Sequence, residues 1–347
     1  MERLPAASLP DLPLRSRLYG SRSRVRRFRW ELASGGRPLV RWFPRSWFTD
    51  PLALVDICSP WEAAWCTRHL SEQFRGRGAV VELGPWLGSI TAGIARGLRR
   101  SAATAGTTIH VHDLFVFDDI EERIVDLPIA GMLHDGEDFL DLYLDRLGDL
   151  AATVEPHRGD VLDARWSSDA PIEFLFDDVA KTWEIWNHVV DTFHRRLLVG
   201  GTVVEQDWAH ACTPWIHLWH HRWRDHLTPI GQVPNAGSVA FRLDRELPED
   251  AFEPTSMHDY PDDEVEAAFD WAAALVDPER RPNVRAALVQ LHTLHGDLDT
   301  ASRICVRELA ESRISSELVD VALPVLADRL AVEAGRPGQL GDPSAAL

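Results

Sequence analysis

The sequence predicts an α/β protein built on an open, largely parallel β-sheet. Residues 79–98 contain a buried apolar strand, a glycine turn and a helical pattern in direct succession. Apolar runs at 107–114, 172–176 and 199–207 then alternate with helical segments, as expected for parallel strands with crossover helices. Residues 227–243 form two short strand patterns around a Pro-Asn-Ala-Gly turn, which predicts an antiparallel hairpin at the end of the sheet.

Composition restricts the classes of protein that this chain can belong to. With 347 residues, 45% of them hydrophobic and 14 tryptophans, it can bury a large core and is long enough for two or three units. A net charge of -18 argues against a nucleic-acid partner, and no apolar run approaches the roughly 20 residues of a membrane span. The four cysteines lack C-x-x-C spacing and are expected to be buried thiols of a reducing compartment.

The chain divides into four segments that differ in composition and predicted structure. Residues 1–45 form a basic, arginine-rich arm without the apolar region of a secretory signal, although a transit peptide has a similar composition. Residues 46–247 form the predicted core, which begins with a helix capped by Ser59. Residues 248–335 start with an acidic linker and continue as four helical patterns for oligomerisation or partner docking, and 336–347 form a tail. The overall usage of Ala, Arg and Leu favours a bacterial cytoplasmic protein.

The glycine turn after the first strand is the clearest ligand-binding signal. Gly84 and Gly88 would allow a ligand to approach the backbone, and the following helix would present its amino terminus to the crevice. Their spacing does not match the G-x-G-x-x-G pattern of dinucleotide-binding proteins, which disfavours an oxidoreductase. No lysine follows Gly88, so a phosphate-binding loop of nucleotide triphosphatases is excluded.

Acidic residues end the later strands. Asp113 ends the second strand, where a carboxylate can accept hydrogen bonds from ribose hydroxyls. Asp178 and Asp207 follow two buried strands and would converge at the same edge of the sheet, with Lys181 nearby. Two converging carboxylates need a cation or a proton between them, and Mg²⁺ is a suitable cation because it prefers oxygen ligands. A hydroxyl substrate bound there could lose its proton to Lys181, with His210 as the alternative general base.

A second histidine pattern lies downstream. His217 and His221 are four residues apart on one predicted helical face, a spacing that suits zinc. The chain has no H-E-x-x-H motif and no third ligand pattern, so a pocket wall or simple packing is favoured over a zinc site.

The segment Glu82-Leu-Gly-Pro-Trp-Leu-Gly88 resembles the first motif, E-x-G-x-x-x-G, of class I S-adenosylmethionine-dependent methyltransferases. This resemblance covers residues 80–243 and implies a Rossmann-like seven-stranded sheet that ends in a hairpin. It also implies S-adenosylmethionine as cofactor and a set of cofactor-binding residues in the successive strand ends. These are Glu82, Gly84, Trp86, Gly88, Ser89, Asp113, Leu114, Asp160, Val161 and Asp178.

The segment Asp178-Val-Ala-Lys181 is similar to the D-x-x-K motif of catechol and caffeoyl-coenzyme A O-methyltransferases, and the chain also resembles the sugar O-methyltransferases of macrolide biosynthesis. In the D-x-x-K families the aspartate binds a metal and the lysine acts as a base, which implies a metal site at Asp178 and Asp207. The chain departs from them at Trp208, where they have Asn or Asp, and Gln206 or His210 would have to replace that ligand.

The resemblance implies methyl transfer to a hydroxylated small molecule, such as a sugar or a natural-product intermediate. N-methylation is the nearest alternative. A third hypothesis, from another class, is a methyltransferase-like protein that binds the cofactor or a protein partner without methylating anything. Pro85, Trp86 and Trp208 favour this third hypothesis because they depart from the catalytic families.

Overall fold

The computed structural model describes residues 59–103, 106–117, 133–311 and 315–333. The predictions for the basic arm at 1–45 and the tail at 336–347 lie outside these residues. The chain divides into two units, and the described part of the smaller one comprises Phe117 and 133–137. Within that unit the Phe117 amide donates to the Glu137 carbonyl and the Gly136 amide to the Phe117 carbonyl, both at 2.8 Å.

The larger unit contains one seven-stranded sheet, which confirms the predicted Rossmann-like fold of the class I methyltransferases. The strand order is β3-β2-β1-β4-β5-β7-β6, with β7 antiparallel to both of its neighbours and the other pairs parallel. The strands are β1 Ala79–Leu83, β2 Ile109–Asp113, β3 Val154–Arg158, β4 Ile172–Asp177, β5 Leu197–Glu205, β6 Leu227–Gln232 and β7 Val239–Leu243.

The apolar sequence of the central strands explains their position. Every residue of β4 is buried, and so are Val80, Val81 and Leu83 of β1, as expected for parallel strands covered on both faces. The predicted hairpin is confirmed by β6 and β7. Its turn contains Asn235 at φ 61, a left-handed conformation that asparagine tolerates better than most residues.

Nine helices of at least eight residues surround the sheet in the described part of the chain. They are α1 Pro60–Gln73, α2 Ser89–Arg100, α3 Leu140–Leu147, α4 Trp183–Thr192, α5 Pro214–Arg222, α6 Asp262–Ala274, α7 Arg281–Leu294, α8 Leu298–Glu311 and α9 Ser316–Glu333. The predicted cap at Ser59 is present as a capping box with Glu62. No helix in these residues is both long enough and apolar enough to span a membrane.

The four C-terminal helices share the hydrophobic core of the sheet. Trp208, at the end of β5, is fully buried; its ring packs against Phe241 and Trp271, and its Nε1 donates to the Ala272 carbonyl at 3.2 Å. Phe269 is buried in the same core. Helices α6 to α9 are therefore packed against the sheet rather than held away from it by the acidic linker.

Helices α1 and α2 approach each other closely through glycine. A Cβ on Gly93 of α2 would lie 2.7 Å from the Ala63 Cα of α1, a distance that requires the backbone to move. The Thr67 hydroxyl donates to the Gly93 carbonyl at 2.8 Å and fixes the contact. The absence of a side chain at position 93 thus sets the spacing of the two helices.

We expect Gly93→Ala to destabilise the protein by about 1–3 kcal/mol, because overpacking against rigid backbone outweighs the helix propensity gained. Urea unfolding would measure the change. Arg100→Ala, at the exposed end of the same helix, is the control and should change stability little. A Gly93→Ala protein as stable as the wild type would show that the helices separate without cost.

Candidate active site

Backbone hydrogen bonds join the turns at the carboxyl ends of the central strands. The Gly84 amide donates to the His112 carbonyl at 3.0 Å, and the Asp178 amide to the Leu83 carbonyl at 3.1 Å. The Gly159 amide donates to the Asp113 carbonyl at 2.9 Å. These bonds bring the predicted residues after β1, β2, β3 and β4 to one edge of the sheet, where ligands bind in open α/β folds.

The glycine turn after β1 has the expected backbone but is packed by the protein itself. Gly84 and Gly88 have φ values of 74 and 90, in the left-handed region that favours glycine. A Cβ at Gly84 would lie 2.9 Å from the Asp178 carbonyl oxygen, and one at Gly88 would lie 3.1 Å from the Tyr143 ring. The absence of a side chain at both positions is thus required by neighbouring protein atoms, and the close approach of a ligand to this turn stays a prediction.

Aromatic residues cover this turn. Tyr143 of α3 is fully buried, and its hydroxyl donates to Thr91 Oγ1 at 3.0 Å. Trp86 has φ 48, is 5% exposed and packs edge-on against Phe139. Sequence reasoning does not place Tyr143 beside the glycine turn, because its partner Thr91 lies 52 positions away.

Glu82 and Ser89, on either side of the turn, are both buried, at 0% and 6% exposure. Glu82 is the fourth residue of β1 and lies within electrostatic range of Tyr143 and Cys66. The first motif therefore lies at the predicted position, with its acid inside the protein. Gly84 is the part of the motif that remains partly exposed.

Asp113 ends β2 and is held by backbone amides. Its Oδ1 accepts from the Phe115 amide at 2.6 Å, and the Trp86 amide also donates to it. Burial raises the pKa of Asp113 to about 6, although both hydrogen bonds lower it. Leu114 beside it is 53% exposed, so its side chain is accessible to a ligand.

Asp160 and Val161 follow β3 as predicted. The Asp160 side chain caps a short 3₁₀ turn, Val161–Asp163, by accepting from the Leu162 amide at 2.9 Å. Val161 packs against the hydrophobic core. The aspartate therefore has a structural role in this turn, whether or not a ligand binds beside it.

Asp178 and Asp207 converge as predicted, with Lys181 between them. Lys181 Nζ lies 2.7 Å from Asp178 Oδ1 and forms a second ion pair with Asp207 Oδ2. Both carboxylates are 13% exposed, whereas the lysine side chain is 45% exposed. Lys181 is held directly before α4, whose first turn is capped by the Thr182 side chain.

The ion pairs set the protonation of this cluster. Burial lowers the pKa of Lys181, but Asp178 and Asp207 raise it well above its usual value. Burial raises the pKa of Asp178 to about 7. Burial also acts to raise the pKa of Asp207, but Lys181 and His210 hold it below its usual value. Lys181 is thus held as an ammonium between the two acids in this state, and the predicted role as general base requires that it first lose this proton.

A cation of the protein itself lies where the sequence predicted Mg²⁺. The Lys181 ammonium already supplies the cation between the two carboxylates. Trp208, which replaces the third oxygen ligand of the similar families, is buried in the core and cannot turn toward the site. Among the described residues, no group of three possible ligands close enough for a metal includes Asp178 or Asp207.

His210 is paired with a residue of the last helix. Its Nδ1 lies 3.1 Å from Glu317 Oε1 of α9. Burial lowers the pKa of His210, but Glu317 and Asp207 raise it to about 9. The imidazolium form cannot accept a proton, so the alternative base predicted from the sequence is not supported by its surroundings.

Glu317 anchors α9 to the loop after β5. It accepts from the Ala211 amide at 2.9 Å and from Asn283 Nδ2 at 2.9 Å, and Asn283 also donates to the Ala209 carbonyl. Sequence reasoning missed this residue, because an acid more than 100 positions downstream gives no local signal of the contact. The C-terminal helices therefore reach the edge of the candidate site.

Glu62 of α1 is a second acid that the sequence did not indicate. It is 2% exposed, accepts from the Ser238 hydroxyl, and lies within electrostatic range of His210 and Asp207. Burial raises the pKa of Glu62. The first helix of the core thus contributes a buried carboxyl group behind the loop that follows β5.

The downstream histidines are packing residues, as the sequence favoured. His217 is fully buried, and its Nε2 contacts the Trp208 carbonyl oxygen at 2.7 Å. In the part of the chain that the structure describes, neither His217 nor His221 belongs to a group of three potential metal ligands. Cys66, Cys212 and Cys305 are free thiols, two of them buried, and Cys58 lies outside the described residues.

A cavity of the same unit lies away from these residues. It is bordered by α1 and by the sheet near β5 and β6, and its lining includes His69, Thr202 and Arg242. His69 Nε2 lies 3.0 Å from Thr202 Oγ1 inside it. No predicted site residue lines this cavity, and its position near the start of β5 separates it from the carboxyl ends of the strands.

Comparisons with known proteins give similarity in structure but not in sequence. No protein-family model matches the chain, and no curated protein matches it. Among solved structures, the O-methyltransferase NovP is similar at 16% identity over 53% of this chain and 80% of that one, with a TM-score of 0.41. The calicheamicin methyltransferase CalS11 is similar at 15% identity over 70% and 97%, with a TM-score of 0.43.

An O-methyltransferase from Bacillus cereus in complex with SAH is similar at 13% identity over 58% of this chain and 88% of that one, with a TM-score of 0.35. These values are too low to carry a function from one protein to another. The strand order confirms the resemblance to class I methyltransferases at the level of the fold. Any activity has to follow from the residues at the edge of the sheet.

We expect Glu317→Gln to lower the pKa of His210 from about 9 toward its usual value, because the variant removes a hydrogen-bonded negative charge. NMR titration of the imidazole would measure this. The raised pKa stabilises the fold fully below the usual value of 6.5, and the contribution is lost as pH rises through about 9. As the pH rises from 6.5 to about 9, the free energy of unfolding should therefore fall less in Glu317→Gln than in the wild type.

The control is Asp263→Asn, which removes the same charge from an exposed position at the start of α6. It should leave the titration of His210 unchanged. An unaltered His210 titration in Glu317→Gln would mean that α9 does not pair with the loop after β5 in solution.

Proposed function

We propose that the protein transfers a methyl group from S-adenosylmethionine to a hydroxyl group of a small molecule. The observation that carries the proposal is the position of the Asp178, Lys181 and Asp207 cluster. It lies on the same edge of the sheet as the glycine turn and Asp113, one strand away from that turn. The residues predicted to bind the cofactor and the charged cluster that would face the acceptor are thus adjacent at one edge of the sheet.

The residues present suit the cofactor at several points. Asp113 has acceptor positions beyond the two backbone amides that it already accepts, and these can bind ribose hydroxyls. The exposed Leu114 and the partly buried Val161 offer apolar contact for a base. When bound, S-adenosylmethionine supplies an electrophilic methyl group on a sulfonium.

The charged cluster would position the acceptor. The ammonium of Lys181 can donate to the acceptor's hydroxyl oxygen, and a carboxylate of Asp178 or Asp207 can accept the hydroxyl proton. Because methyl transfer needs the nucleophile in line with the methyl group and the sulfur, the main contribution of these residues is orientation. No step requires a metal ion.

The acceptor class follows from the chemistry of the cluster. A polar, hydroxylated molecule such as a sugar or a natural-product intermediate can exchange hydrogen bonds with two carboxylates and an ammonium. An amine acceptor is the alternative within methyl transfer. The contrasting hypothesis, cofactor or partner binding without methylation, draws support from the aromatic cover over the glycine turn and from the buried Trp208.

We expect Asp113→Ala to abolish binding of S-adenosylmethionine, because it removes the acceptor for the ribose, and Lys181→Ala to preserve it. In Lys181→Ala, turnover should fall by about 100-fold or more through loss of acceptor positioning. Calorimetry with S-adenosylmethionine and S-adenosylhomocysteine measures the first effect, and methyl transfer to a panel of hydroxylated compounds the second.

Glu155→Gln, on the edge strand β3, is the control for both assays and should behave as the wild type. Equal loss of cofactor binding in Asp113→Ala and Lys181→Ala would contradict the division of roles. Binding without turnover on any acceptor would favour the non-methylating hypothesis. Repeating the titration with Mg²⁺ and then with EDTA tests the metal site predicted at Asp178 and Asp207, and we expect equal affinities.

Cofactor affinity should weaken as pH falls through about 6, since protonation of Asp113 removes an acceptor for the ribose hydroxyls. Calorimetry between pH 5 and pH 8, with unfolding monitored at each pH, would follow the change. Asp113→Asn should bind weakly and show no such transition. A wild-type affinity that is constant across this range would show that the Asp113 carboxylate does not contact the cofactor.

A further inference from the structure

Four ionisable side chains form a buried cluster beneath the candidate active site, on the face of the sheet covered by α4 and α5. Asp177 ends β4, Glu205 ends β5, His194 follows α4, and His220 lies on α5. Their exposures are 2%, 1%, 1% and 0%. Tryptophans 186 and 219 pack around the two histidines. Charged groups are rarely buried this deeply without a partner.

The two carboxyl groups face each other because of the strand register. Asp177 and Glu205 are paired neighbours in the parallel ladder of β4 and β5, so their side chains point to the same face of the sheet. Asp177 uses Oδ1 to accept from the Val179 amide at 3.1 Å, which leaves Oδ2 directed into the cluster. Two adjacent buried carboxylates require a positive charge or a proton between them.

The imidazole of His220 presents a lone pair to this acid pair. Its Nδ1 donates to the Ile216 carbonyl at 2.9 Å, so its Nε2 is the unprotonated nitrogen of the neutral ring. That Nε2 lies 3.3 Å from Glu205 Oε1. Two acceptors at this distance repel each other unless a cation or a proton lies between them.

Unsatisfied atoms accumulate at the same point. Within the described residues, five buried side-chain atoms of the cluster have no hydrogen-bond partner: Asp177 Oδ2, both ring nitrogens of His194, Glu205 Oε1 and His220 Nε2. Buried polar atoms are nearly always paired, and several unpaired ones in one place indicate a missing partner. The groups that remain open are those that bind metal ions.

We propose that Asp177, His194, Glu205 and His220 bind a divalent transition-metal ion, with Zn²⁺ as the best match. Imidazole nitrogens and carboxylate oxygens are both among the ligands that bind Zn²⁺ in proteins. At metal–ligand distances of about 2.1 Å, the ligand atoms of a tetrahedron lie roughly 3.4 Å apart. One ligand atom each of Asp177, His194 and Glu205 lie within 4.8 Å of one another, and Glu205 Oε1 lies 3.7 Å from His194 Nε2. His220 lies outside that group of three, with its Nε2 3.3 Å from Glu205 Oε1, and would complete the set by a small movement of its ring.

The surroundings of the cluster support a metal. The carbonyl of Ile216 fixes the tautomer and the orientation of His220, as an outer-shell acceptor does for most zinc-bound histidines. The ion would join two strands to the segment after α4 and to α5.

This centre is separate from the predicted magnesium site and goes beyond the proposed function. Its ligands include neither Asp178 nor Asp207, and all of them are buried. Asp177 directly precedes Asp178, and Glu205 lies two positions before Asp207, so the ion would fix the strand ends that carry the catalytic cluster. Its role is structural.

A second group of potential ligands provides a matched control. His110, Glu155 and His157 lie on β2 and β3, where they are partly exposed. His110 Nδ1 and His157 Nε2 are already 3.1 Å apart, within hydrogen-bond distance of each other. Removal of His157 should therefore leave the metal content unchanged, whereas removal of His220 should abolish it.

The test is the metal content of the full-length protein, purified without an affinity tag made of histidines. Mass spectrometry of the metals should find close to one zinc per chain in the wild type and in His157→Gln, and almost none in His220→Gln or His194→Gln. Loss of zinc in His157→Gln with retention in His220→Gln would overturn the proposal and place the ion at the surface.

A second measurement covers the case in which the histidine variants do not fold. Chelation of the wild type should lower its Tm by several degrees, and one equivalent of Zn²⁺ should restore it, because the metal binds only the folded state. Substitution with Co²⁺ should give the visible absorption of tetrahedral nitrogen and oxygen coordination. A wild type that contains no metal and whose Tm does not respond to Zn²⁺ would show that a proton or a water molecule joins the cluster instead.

Discussion

The pairing of one ammonium with two carboxylates is the interaction on which the functional edge of this protein depends. Asp178 and Asp207 are largely buried at the ends of neighbouring strands, and without Lys181 their negative charges would repel each other in a poorly solvated site. The lysine is held by its position before α4 and is partly exposed, so it can face a ligand while neutralising both acids. In the proposed reaction, the lysine would donate a hydrogen bond and a carboxylate would accept the proton.

The fold could be predicted from the sequence because local residue patterns define most of its strands, turns and helices. Apolar β-branched runs, the turn from Gly84 to Gly88 and the hairpin around Asn235 each define their own element, and the structure has strands at these patterns. The convergence of Asp178 and Asp207 was also predictable, because residues that follow parallel strands meet at one edge. The roles of the residues were less predictable. A Cβ at position 88 would be in close contact with Tyr143, which lies far from it in the sequence. The protonation of Lys181 and His210 likewise depends on neighbours distant in sequence.

Two acids near the site, Glu62 and Glu317, illustrate the limit of sequence reasoning in physical terms. Each is an ordinary charged residue in a helical pattern, and its burial or pairing is decided by which helix packs where. Glu62 caps its own helix and also accepts from Ser238, 176 positions away. Glu317 pairs with His210 from the last described helix. Tertiary packing of this kind has no local signal, because helix amphipathicity indicates a buried face but not its partner.

The burial of Trp208 between the sheet and α6 limits how this protein could have diversified. In many enzymes a C-terminal extension can be exchanged or deleted as a module, since it contacts the catalytic domain through a polar surface. Here the ring that follows Asp207 is covered by Trp271 and donates to the Ala272 carbonyl. Deletion of the helices would expose this ring one residue from the ion cluster. Helices α6 to α9 and the strand ends are therefore expected to change together during evolution, and a chimaera that exchanged only one of them would lose the geometry of both.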